Sequence, residues 1–265
     1  MKASILSHLS ENHPWCGHIQ WVESIGSTND NAKALALQGA PHGTTVIARS
    51  QTKGRGRMGR SFYSPEATGI YLSVILRPDC TPQALMHLTC ATAVAICDAL
   101  ENACGVRPRI KWTNDLVYGS KKLGGILTEL GFEHDDTVSY AVVGIGINCS
   151  PPVSGFPEEI REIATTLQEA ADKPVDAAAV TAAMITALHQ MAGNLLAEKE
   201  TIMEKYRADC LTIGREVVIH KDGCTLLGTA AAIDDDGGLI VTLADGSQMT
   251  VNTGEVSVRG LYGYV

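Results

Sequence analysis

The segment at 49–61, RSQTKGRGRMGRS, places cationic side chains on a glycine-rich backbone. It holds five cationic residues, no acidic residue and three glycines, although the chain has a formal net charge of -8. Arginine donors match carboxylate and phosphate oxygens, and a glycine-rich backbone is mobile and costly to order. The pattern predicts a loop that closes over an anion. It is not a P-loop, because GxxxxGK[ST] is absent. The alternatives to a closing loop are a solvated basic loop and an arginine-glycine RNA-binding segment.

A second group of polar residues surrounds the predicted turn Gly119-Ser120. With a two-residue turn, strand alternation pairs Asp115 with Gly124 and places four residues on one face: Asp115, Val117, Lys122 and Gly124. Lys121 points away, and Lys111 joins the face if its strand continues unbroken. A lysine and a carboxylate beside a glycine leave room for a charged ligand. The alternative is an exposed hairpin with a surface ion pair worth ~0–1 kcal/mol.

The third group is the run VGIGINC at 143–149. A period of two places its apolar residues on the core face and three others on the opposite face: Gly144, Gly146 and Asn148. Such a bare face admits a flat ligand, with the Asn148 amide beside it. Together the three groups predict a site for a flat ligand with a phosphate, where positioning and charge stabilisation replace a protein nucleophile.

The elements that must position these groups are predicted from periodicity, caps and turns. Ser27 fits a helix N-cap and Gly39 a helix stop. We expect strands at 21–25, 44–49 and 70–76, a helix at 83–104, an antiparallel meander with turns at Gly119-Ser120 and 134–136, and helices at 158–172 and 175–209. Short strands at 217–220, 226–233, 239–243, 248–252 and 255–259 predict a small β-barrel. The domain boundary is expected between 209 and 214.

Composition bounds the class of protein. With 265 residues, 45% hydrophobic and 19% charged, the chain is typical of a globular protein of one or two domains. Its apolar runs are expected to be too short for a membrane span, and its start does not resemble a signal peptide. Cys90, Cys97 and Cys104 are spaced too far apart on one helix for a disulfide or a shared metal, which favours a reducing cytoplasm. The acidic balance argues against general nucleic-acid binding.

Five motifs, in this order and spacing, resemble the biotin protein ligases: STN at 27–29, Q and GRGRMGR within 51–60, KWTND at 111–115, KLGGILTE at 122–129 and GIGIN at 144–148. The resemblance covers nearly the whole chain. It implies an α+β fold: a mixed, mainly antiparallel sheet flanked by helices over residues 1–212, related to class II aminoacyl-tRNA synthetases, and a C-terminal SH3-like β-barrel over 213–265. It also implies an ATP- and Mg²⁺-dependent ligase that activates biotin as biotinyl-5′-AMP. Biotin is then transferred to a lysine of a biotin carboxyl carrier protein.

The resemblance assigns roles to individual residues. It implies biotin binding by Ser27, Thr28, Asn29, Gln51, Gly54, Arg55, Lys122, Gly124 and Gly125. It implies ATP or adenylate binding by Arg57, Arg60, Phe62, Asn114, Asn148 and Lys122. Catalysis would rest on Lys122, Arg55, Lys111 and Asp115, and Asp115 would also serve the metal ion. Two positions depart from the family pattern, Thr113 for the usual proline and Phe62 for the usual tryptophan, which leaves a stacking ring without an indole N–H.

Partners and rival functions follow from the same comparison with the family. About twenty residues precede the predicted strand at 21–25, too few for the DNA-binding domain of bifunctional members, so an enzyme-only form is expected. We expect it in the cytoplasm, with no DNA and no membrane partner, and a homodimer is compatible with the family. One alternative is a lipoate or octanoate ligase or transferase, which Gln51, the arginine loop and the barrel disfavour. The other is a non-catalytic biotin-responsive regulator, which the negative charge disfavours.

Overall fold

A seven-stranded mixed sheet forms the centre of the larger part of the molecule. The computed structural model describes residues 1–133, 137–221, 224–252 and 255–258. The strands of this sheet are β1 (Ile19–Ile25), β2 (Thr45–Gln51), β3 (Gly69–Leu76), β4 (Arg109–Lys111), β5 (Asp115–Tyr118), β6 (Lys121–Phe132) and β7 (Val138–Asn148). Their order in space is β1-β2-β3-β7-β6-β5-β4, and neighbours are antiparallel except for the parallel pair β1 and β2. The predicted fold class is confirmed.

Helices cover the two faces of the sheet unequally. The α-helices of the described residues are α1 (Lys2–His8), α2 (Thr28–Leu37), α3 (Leu88–Cys104), α4 (Glu158–Arg161), α5 (Leu167–Ala171), α6 (Ala177–Asn194) and α7 (Lys199–Asp209). Helix α2 packs on one face with a small apolar cluster, whereas α3, α6 and α7 bury the main core on the other. Because α2 is short, it leaves part of its face of the sheet available for a ligand.

Residues at the helix ends explain where α2 and α3, on opposite faces of the sheet, begin and stop. Ser27 occupies the N-cap of α2, and Gly39 follows its end with a φ of 87°. Gly105 ends α3 in the left-handed conformation, with a φ of 79°. Glycine is favoured at both stops because it adopts a positive φ without steric strain. These boundaries agree with the sequence predictions.

The segment Pro82–Cys104 corrects the expectation that no apolar run is long enough for a membrane. It is the one such segment among the described residues, by length and composition, and 72% of its most apolar window is buried inside the fold. It begins as a 3-10 turn at Pro82–Leu85, and α3 itself starts at Leu88. Burial on nearly all sides explains the composition, because a helix that is apolar all round occupies a protein core.

The prediction of two continuous helices at 158–172 and 175–209 was wrong, because each region is divided into two shorter helices. The first helix is interrupted because residues 163–165 pair with the backbone of Lys122. The Lys122 N–H donates to Ile163 O at 2.7 Å, and the Thr165 N–H donates to Lys122 O at 2.9 Å. Thr166 then forms a capping box with Glu169 and starts α5. The second is divided into α6 and α7. The interruption at 163–165 places backbone beside Lys122, a predicted catalytic residue.

A second, five-stranded sheet follows α7. It contains β8 (Glu216–Lys221), β9 (Cys224–Ile233), β10 (Leu239–Leu243), β11 (Gln248–Val251) and β12 (Glu255–Val258), in the spatial order β11-β10-β9-β8-β12. Every neighbouring pair is antiparallel, as expected for the small C-terminal barrel. The predicted turn at 134–136 and the end of the last predicted strand, Arg259, lie outside the described residues.

The second sheet is docked on the first domain through the acidic turn at 234–236. Asp236 lies 2.6 Å from Lys199 Nζ, and Asp235 pairs with Arg207. Trp112 Nε1 donates to Gly237 O at 2.8 Å. The side chain of Asp234 accepts hydrogen bonds from the backbone of the same turn. The acidic turn therefore contacts α7 through exposed ion pairs, while the Trp112 hydrogen bond is a buried contact between the two sheets.

Two buried histidines are held in the neutral form. His13 is 7% exposed and His87 is 0% exposed, and each has one ring nitrogen that lacks a hydrogen-bond partner within the described structure. Burial lowers the pKa of both rings, and nearby His189 lowers the pKa of His13 further. His87 Nε2 lies 2.9 Å from Leu195 O, which requires that Nε2 carry the proton. Protonation of either ring would place an uncompensated charge in the core.

These histidines predict a loss of stability in acid. Their pKa values are lower in the folded chain than the unfolded value of about 6.5, so stability is fully present above that pH and declines below it, by roughly 1 kcal/mol per pH unit for each ring. Urea unfolding at pH 7.5 and 5.5 measures the effect. His13→Asn should flatten the pH dependence, whereas the same substitution at exposed His18 should not. Equal slopes in both variants would contradict the assignment to His13.

Candidate functional site

A cavity on the α2 face of the large sheet brings most of the predicted site residues together. Its predicted members are Ser27, Thr28, Asn29, Gln51, Arg55, Arg57, Arg60, Phe62, Lys111, Asn114, Asp115, Lys122 and Gly125. Three predicted residues, Gly54, Gly124 and Asn148, are not among its lining residues. Gly144 and Gly146 line it, as their alternation in β7 predicts. Trp112, Leu127 and Val256 also line it and were not predicted from sequence.

The cationic loop forms a hairpin over this cavity. Gly56 N–H donates to Arg60 O at 2.7 Å, and Phe62 N–H donates to Gly54 O at 2.9 Å. The turn at its tip uses positive φ values at Met58 (56°) and Gly59 (75°). Gly54 is itself part of this hairpin, and a Cβ there would approach Phe62 O to 2.3 Å. Its role is thus to permit close backbone approach. Among the loop side chains, Arg55, Arg57, Arg60 and Ser61 line the cavity.

Lys122 and Asp115 form an ion pair in the cavity. Lys122 Nζ donates to Asp115 Oδ1 at 2.6 Å. The predicted pairs of the hairpin next to its turn are present, but Asp115 pairs with Gly125 rather than with Gly124. The register shifts by one residue through a β-bulge, so the predicted Asp115–Gly124 pair was wrong. A Cβ at Gly125 would lie 3.5 Å from both charged side chains, whereas Gly124 closely approaches the backbone of β7.

A cluster of cationic side chains faces this ion pair. Arg57 Nη1 donates to Asn114 Oδ1 at 3.2 Å, and Asn114 Nδ2 donates to Ile126 O at 2.9 Å. Burial lowers the pKa of Arg57, although the charge of Asp115 partly opposes this effect. Arg60 and Lys111 line the same cavity. With Arg55, five cations and Asp115 as the one carboxylate among the described lining residues form a positive site, which suits a polyphosphate.

A hydrogen-bonded chain of polar side chains forms the other end of the cavity. Gln51 Oε1 accepts from Thr28 N at 2.8 Å and from Thr28 Oγ1 at 3.1 Å. Ser73 Oγ lies 2.8 Å from Thr28 Oγ1 and 2.6 Å from Asn29 Oδ1. Ser73 was missed from sequence, although a buried serine in an otherwise apolar strand was a readable signal. This end is neutral and rich in donors and acceptors, which suits an uncharged polar ring.

The glycine face of β7 is covered by the protein's own side chains. A Cβ at Gly144 would lie 1.8 Å from Asn29 Oδ1, and a Cβ at Gly146 would lie 2.5 Å from the Phe62 ring. The predicted bare surface is therefore occupied by Asn29 and Phe62, which themselves line the cavity. Asn148 Nδ2 donates to Thr165 O at 3.0 Å, so its amide holds the segment before α5 beside the sheet.

The cavity offers little for a metal bound by protein alone. Within the ranges that the structure describes, no group of three or more His, Cys, Asp or Glu residues could hold a metal ion. Mg²⁺ usually takes one or two protein carboxylates and fills its other positions with phosphate oxygens and water. Asp115 supplies one carboxylate beside the cationic cluster, which fits a Mg²⁺ ion that enters with a polyphosphate.

Comparisons with known proteins agree with this geometry. The model of the biotin/lipoate A/B protein ligase family matches residues 21–148, and that of the biotin protein ligase C terminal domain matches residues 212–259. The chain is 36% identical over 230 residues to the bifunctional ligase/repressor BirA of Bacillus subtilis, covering 86% of this chain and 70% of that protein. It is 32% identical over 241 residues to the biotin--[acetyl-CoA-carboxylase] ligase of Mycobacterium tuberculosis, covering 89% and 86%. The structure of biotin protein ligase from Aquifex aeolicus in complex with biotin and ATP superposes with a TM-score of 0.76 at 29% identity, covering 91% and 98%.

Proposed function

Because the chain belongs to the biotin protein ligase family, we propose that it activates biotin with ATP and transfers it to a lysine of a biotin carboxyl carrier protein. The observation that carries this conclusion is a single cavity with a neutral polar end, at Thr28 and Gln51, and a cationic end around Lys122 and Arg57. A biotin ring is uncharged and polar, whereas its carboxylate and the phosphates of ATP are anionic. The two ends match the two parts of the reacting complex.

The first step forms a mixed anhydride. A biotin carboxylate oxygen bonds to the α-phosphorus of ATP, the bond from that phosphorus to the β-phosphate oxygen breaks, and pyrophosphate leaves. In the proposed arrangement Lys122 contacts the carboxylate and α-phosphate oxygens, while Arg57, Arg60 and Lys111 bind phosphate oxygens. Cations placed where charge is transferred stabilise the transition state, and alignment of the two substrates lowers the entropic barrier.

The second step forms an amide. The neutral ε-amine of the carrier lysine attacks the acyl carbon, AMP leaves, and the amine loses a proton. Asp115, paired with Lys122, is proposed to position Lys122 and to contact Mg²⁺. Asp115 would help to hold Mg²⁺, and the ion would supply positive charge that neutralises phosphate charge. Phe62 and Asn114 are proposed to contact the adenylate.

Biotin-dependent exchange of labelled pyrophosphate into ATP tests the first step directly. The expected result is rapid exchange with biotin, ATP and Mg²⁺, and background exchange without biotin. Lipoate and octanoate in place of biotin test the alternative ligase, and exchange that prefers either of them would overturn the biotin assignment. Absence of exchange with all three acids would favour a non-catalytic biotin-responsive regulator.

Loop closure predicts protection from trypsin by ligands. Ordering nine residues at 53–61 costs on the order of 10 kcal/mol, and each charged hydrogen bond to a carboxylate or phosphate returns ~1.5–3 kcal/mol. Biotin with ATP should therefore slow cleavage at the four basic sites of the loop, Lys53, Arg55, Arg57 and Arg60. Mass spectrometry of early digests measures it. Equal cleavage with and without ligands would leave the loop as a static cationic surface.

The carrier protein is the macromolecular partner in this proposal. The domains are proposed as a catalytic unit at 1–212 and a C-terminal unit at 213–265. No DNA and no membrane partner is proposed: the net charge of -8 opposes DNA, and the acidic turn is engaged with Lys199 and Arg207. The proposed location is the cytoplasm, and homodimer formation through the edge of the meander is compatible with this function.

A further inference from the structure

Glu129 on β6 contacts residues from two other segments of the chain, α2 and the cationic loop. Its Oε2 accepts from Asn29 Nδ2 at 2.9 Å, and its Oε1 accepts from Lys33 Nζ at 3.0 Å. Arg55 Nη1 lies 3.1 and 3.2 Å from its two oxygens. Its side chain is 21% exposed. None of the three expected groups of reactive residues includes this carboxylate, and it does not line the cavity among the described residues.

Glu129 and the backbone carbonyl of Leu127 together fix which way the Asn29 amide points, since Asn29 Nδ2 donates to Glu129 Oε2 at 2.9 Å and to Leu127 O at 3.2 Å. A carboxylate accepts hydrogen bonds and cannot donate them, so Asn29 must direct its NH₂ group toward Glu129. Its Oδ1 then faces Ser73 Oγ at 2.6 Å. Ser73 Oγ therefore donates to Asn29 Oδ1 and lies 2.8 Å from Thr28 Oγ1. Gln51 is oriented separately by the Thr28 backbone N–H, which donates to its Oε1 at 2.8 Å. Glu129 thus helps to order the neutral polar end of the cavity through Asn29.

The same carboxylate also holds the cationic loop. Arg55 is bound between Glu129 and Asp30, whose Oδ1 lies 2.6 Å from Arg55 Nη1. Burial raises the pKa of Glu129, but hydrogen bonds from Asn29 and Lys33 and the charges of Lys33 and Arg55 lower it to a greater extent. Glu129 is therefore anionic at neutral pH and attracts the loop before any ligand is present.

We propose that Glu129 is a positioning residue that couples closure of the loop, through Arg55, to the arrangement of the biotin-binding end of the cavity, through Asn29. This inference rests on the proposed function for the identity of the ligand. It predicts two separable effects: release of Arg55 in the unliganded protein, and weaker binding of biotin.

Limited trypsin digestion of the unliganded protein tests the first effect. Trypsin must bind the arginine side chain in its own acidic pocket, so the contact with Glu129 slows cleavage after Arg55 in the unliganded protein without abolishing it. In Glu129→Gln, cleavage after Arg55 should rise about tenfold relative to cleavage after Lys53 in the same loop, a shift of ~1.4 kcal/mol. Glu133→Gln, at an exposed position just beyond β6, is the matched control and should leave the ratio unchanged.

Steady-state pyrophosphate exchange tests the second effect. Glu129→Gln should raise KM for biotin about tenfold, with a smaller change in kcat. Asp30→Asn loses a partner of Arg55 but leaves the contact between Asn29 and Glu129, so it should release Arg55 with a smaller rise in KM for biotin. A role of Glu129 confined to stability would lower the melting temperature without changing the Arg55 to Lys53 ratio or KM.

The outcomes separate this inference from the function itself. Unchanged cleavage and unchanged KM in folded Glu129→Gln would overturn the positioning role. If that variant fails to fold, Glu129→Asp takes its place, because its shorter side chain keeps the charge but withdraws from Arg55, and an unchanged cleavage ratio and KM there would also overturn the role. Faster cleavage after Arg55 in a protein whose wild type lacks biotin-dependent exchange would support the loop contact and refute the proposed function.

Discussion

Replacing Lys122 with alanine is expected to slow formation of the adenylate by about 10²–10³-fold, the range for removing one preorganised charge-stabilising donor. Lys122 Nζ is held at 2.6 Å from Asp115 inside the cavity, so its position is set before substrate binds. Its side chain is 31% exposed, and truncation therefore creates no large void in the core. Single-turnover formation of biotinyl-5′-AMP from labelled ATP measures the chemical step, and circular dichroism checks the fold.

Lys121→Ala is the matched control for this substitution. Lys121 pairs with Tyr118 next to the turn of the same hairpin and is not among the described residues that line the cavity. Its loss should change the rate by less than about threefold, because a charge outside the cavity on a partly exposed side chain is largely screened by solvent and salt. A larger effect at Lys121 than at Lys122 would show that the assignment of the two side chains to opposite faces is wrong.

The geometry that sequence predicted best is local. Alternation along β7 places Gly144 and Gly146 on the ligand face, and the turn at Gly119-Ser120 sets the start of the hairpin. Both depend on residues adjacent in the chain, where the period of a strand is strict. The β-bulge near Leu116 was not predictable in this way, because one extra residue leaves no distinct pattern in the sequence.

Long-range contacts account for most of what sequence missed. Glu129 meets Asn29 and Arg55 across 100 and 74 residues, and no periodic pattern links positions so far apart. Similarly, the acidic turn that docks the second sheet binds Lys199 and Arg207 on α7. The break before α5 is different: Thr166 and Glu169 are the T-x-x-E pattern of a capping box, which was readable and was overlooked within a continuous helix.

Gly144→Ala is expected to disrupt the neutral end of the cavity severely. The added Cβ would lie 1.8 Å from Asn29 Oδ1, so Asn29 must move and lose its contacts with Ser73 and Glu129. Breaking a buried polar network of this kind costs ~1–3 kcal/mol for each group left unsatisfied. Calorimetric titration should show biotin binding weakened by at least about tenfold, and urea unfolding should show a lower free energy of unfolding. Gly17→Ala, where a Cβ meets no atom within 4 Å, is the control.

A double-mutant cycle identifies Asn29 as the cause of this effect. Asn29→Ala removes the atom that the new methyl group would strike, so Gly144→Ala should cost little further stability in that background. The two substitutions should therefore be strongly non-additive, as residues in direct contact are. Additive losses would mean that the methyl group disturbs β7 itself rather than Asn29. In that case the steric link between the glycine face of the sheet and the polar chain would be refuted.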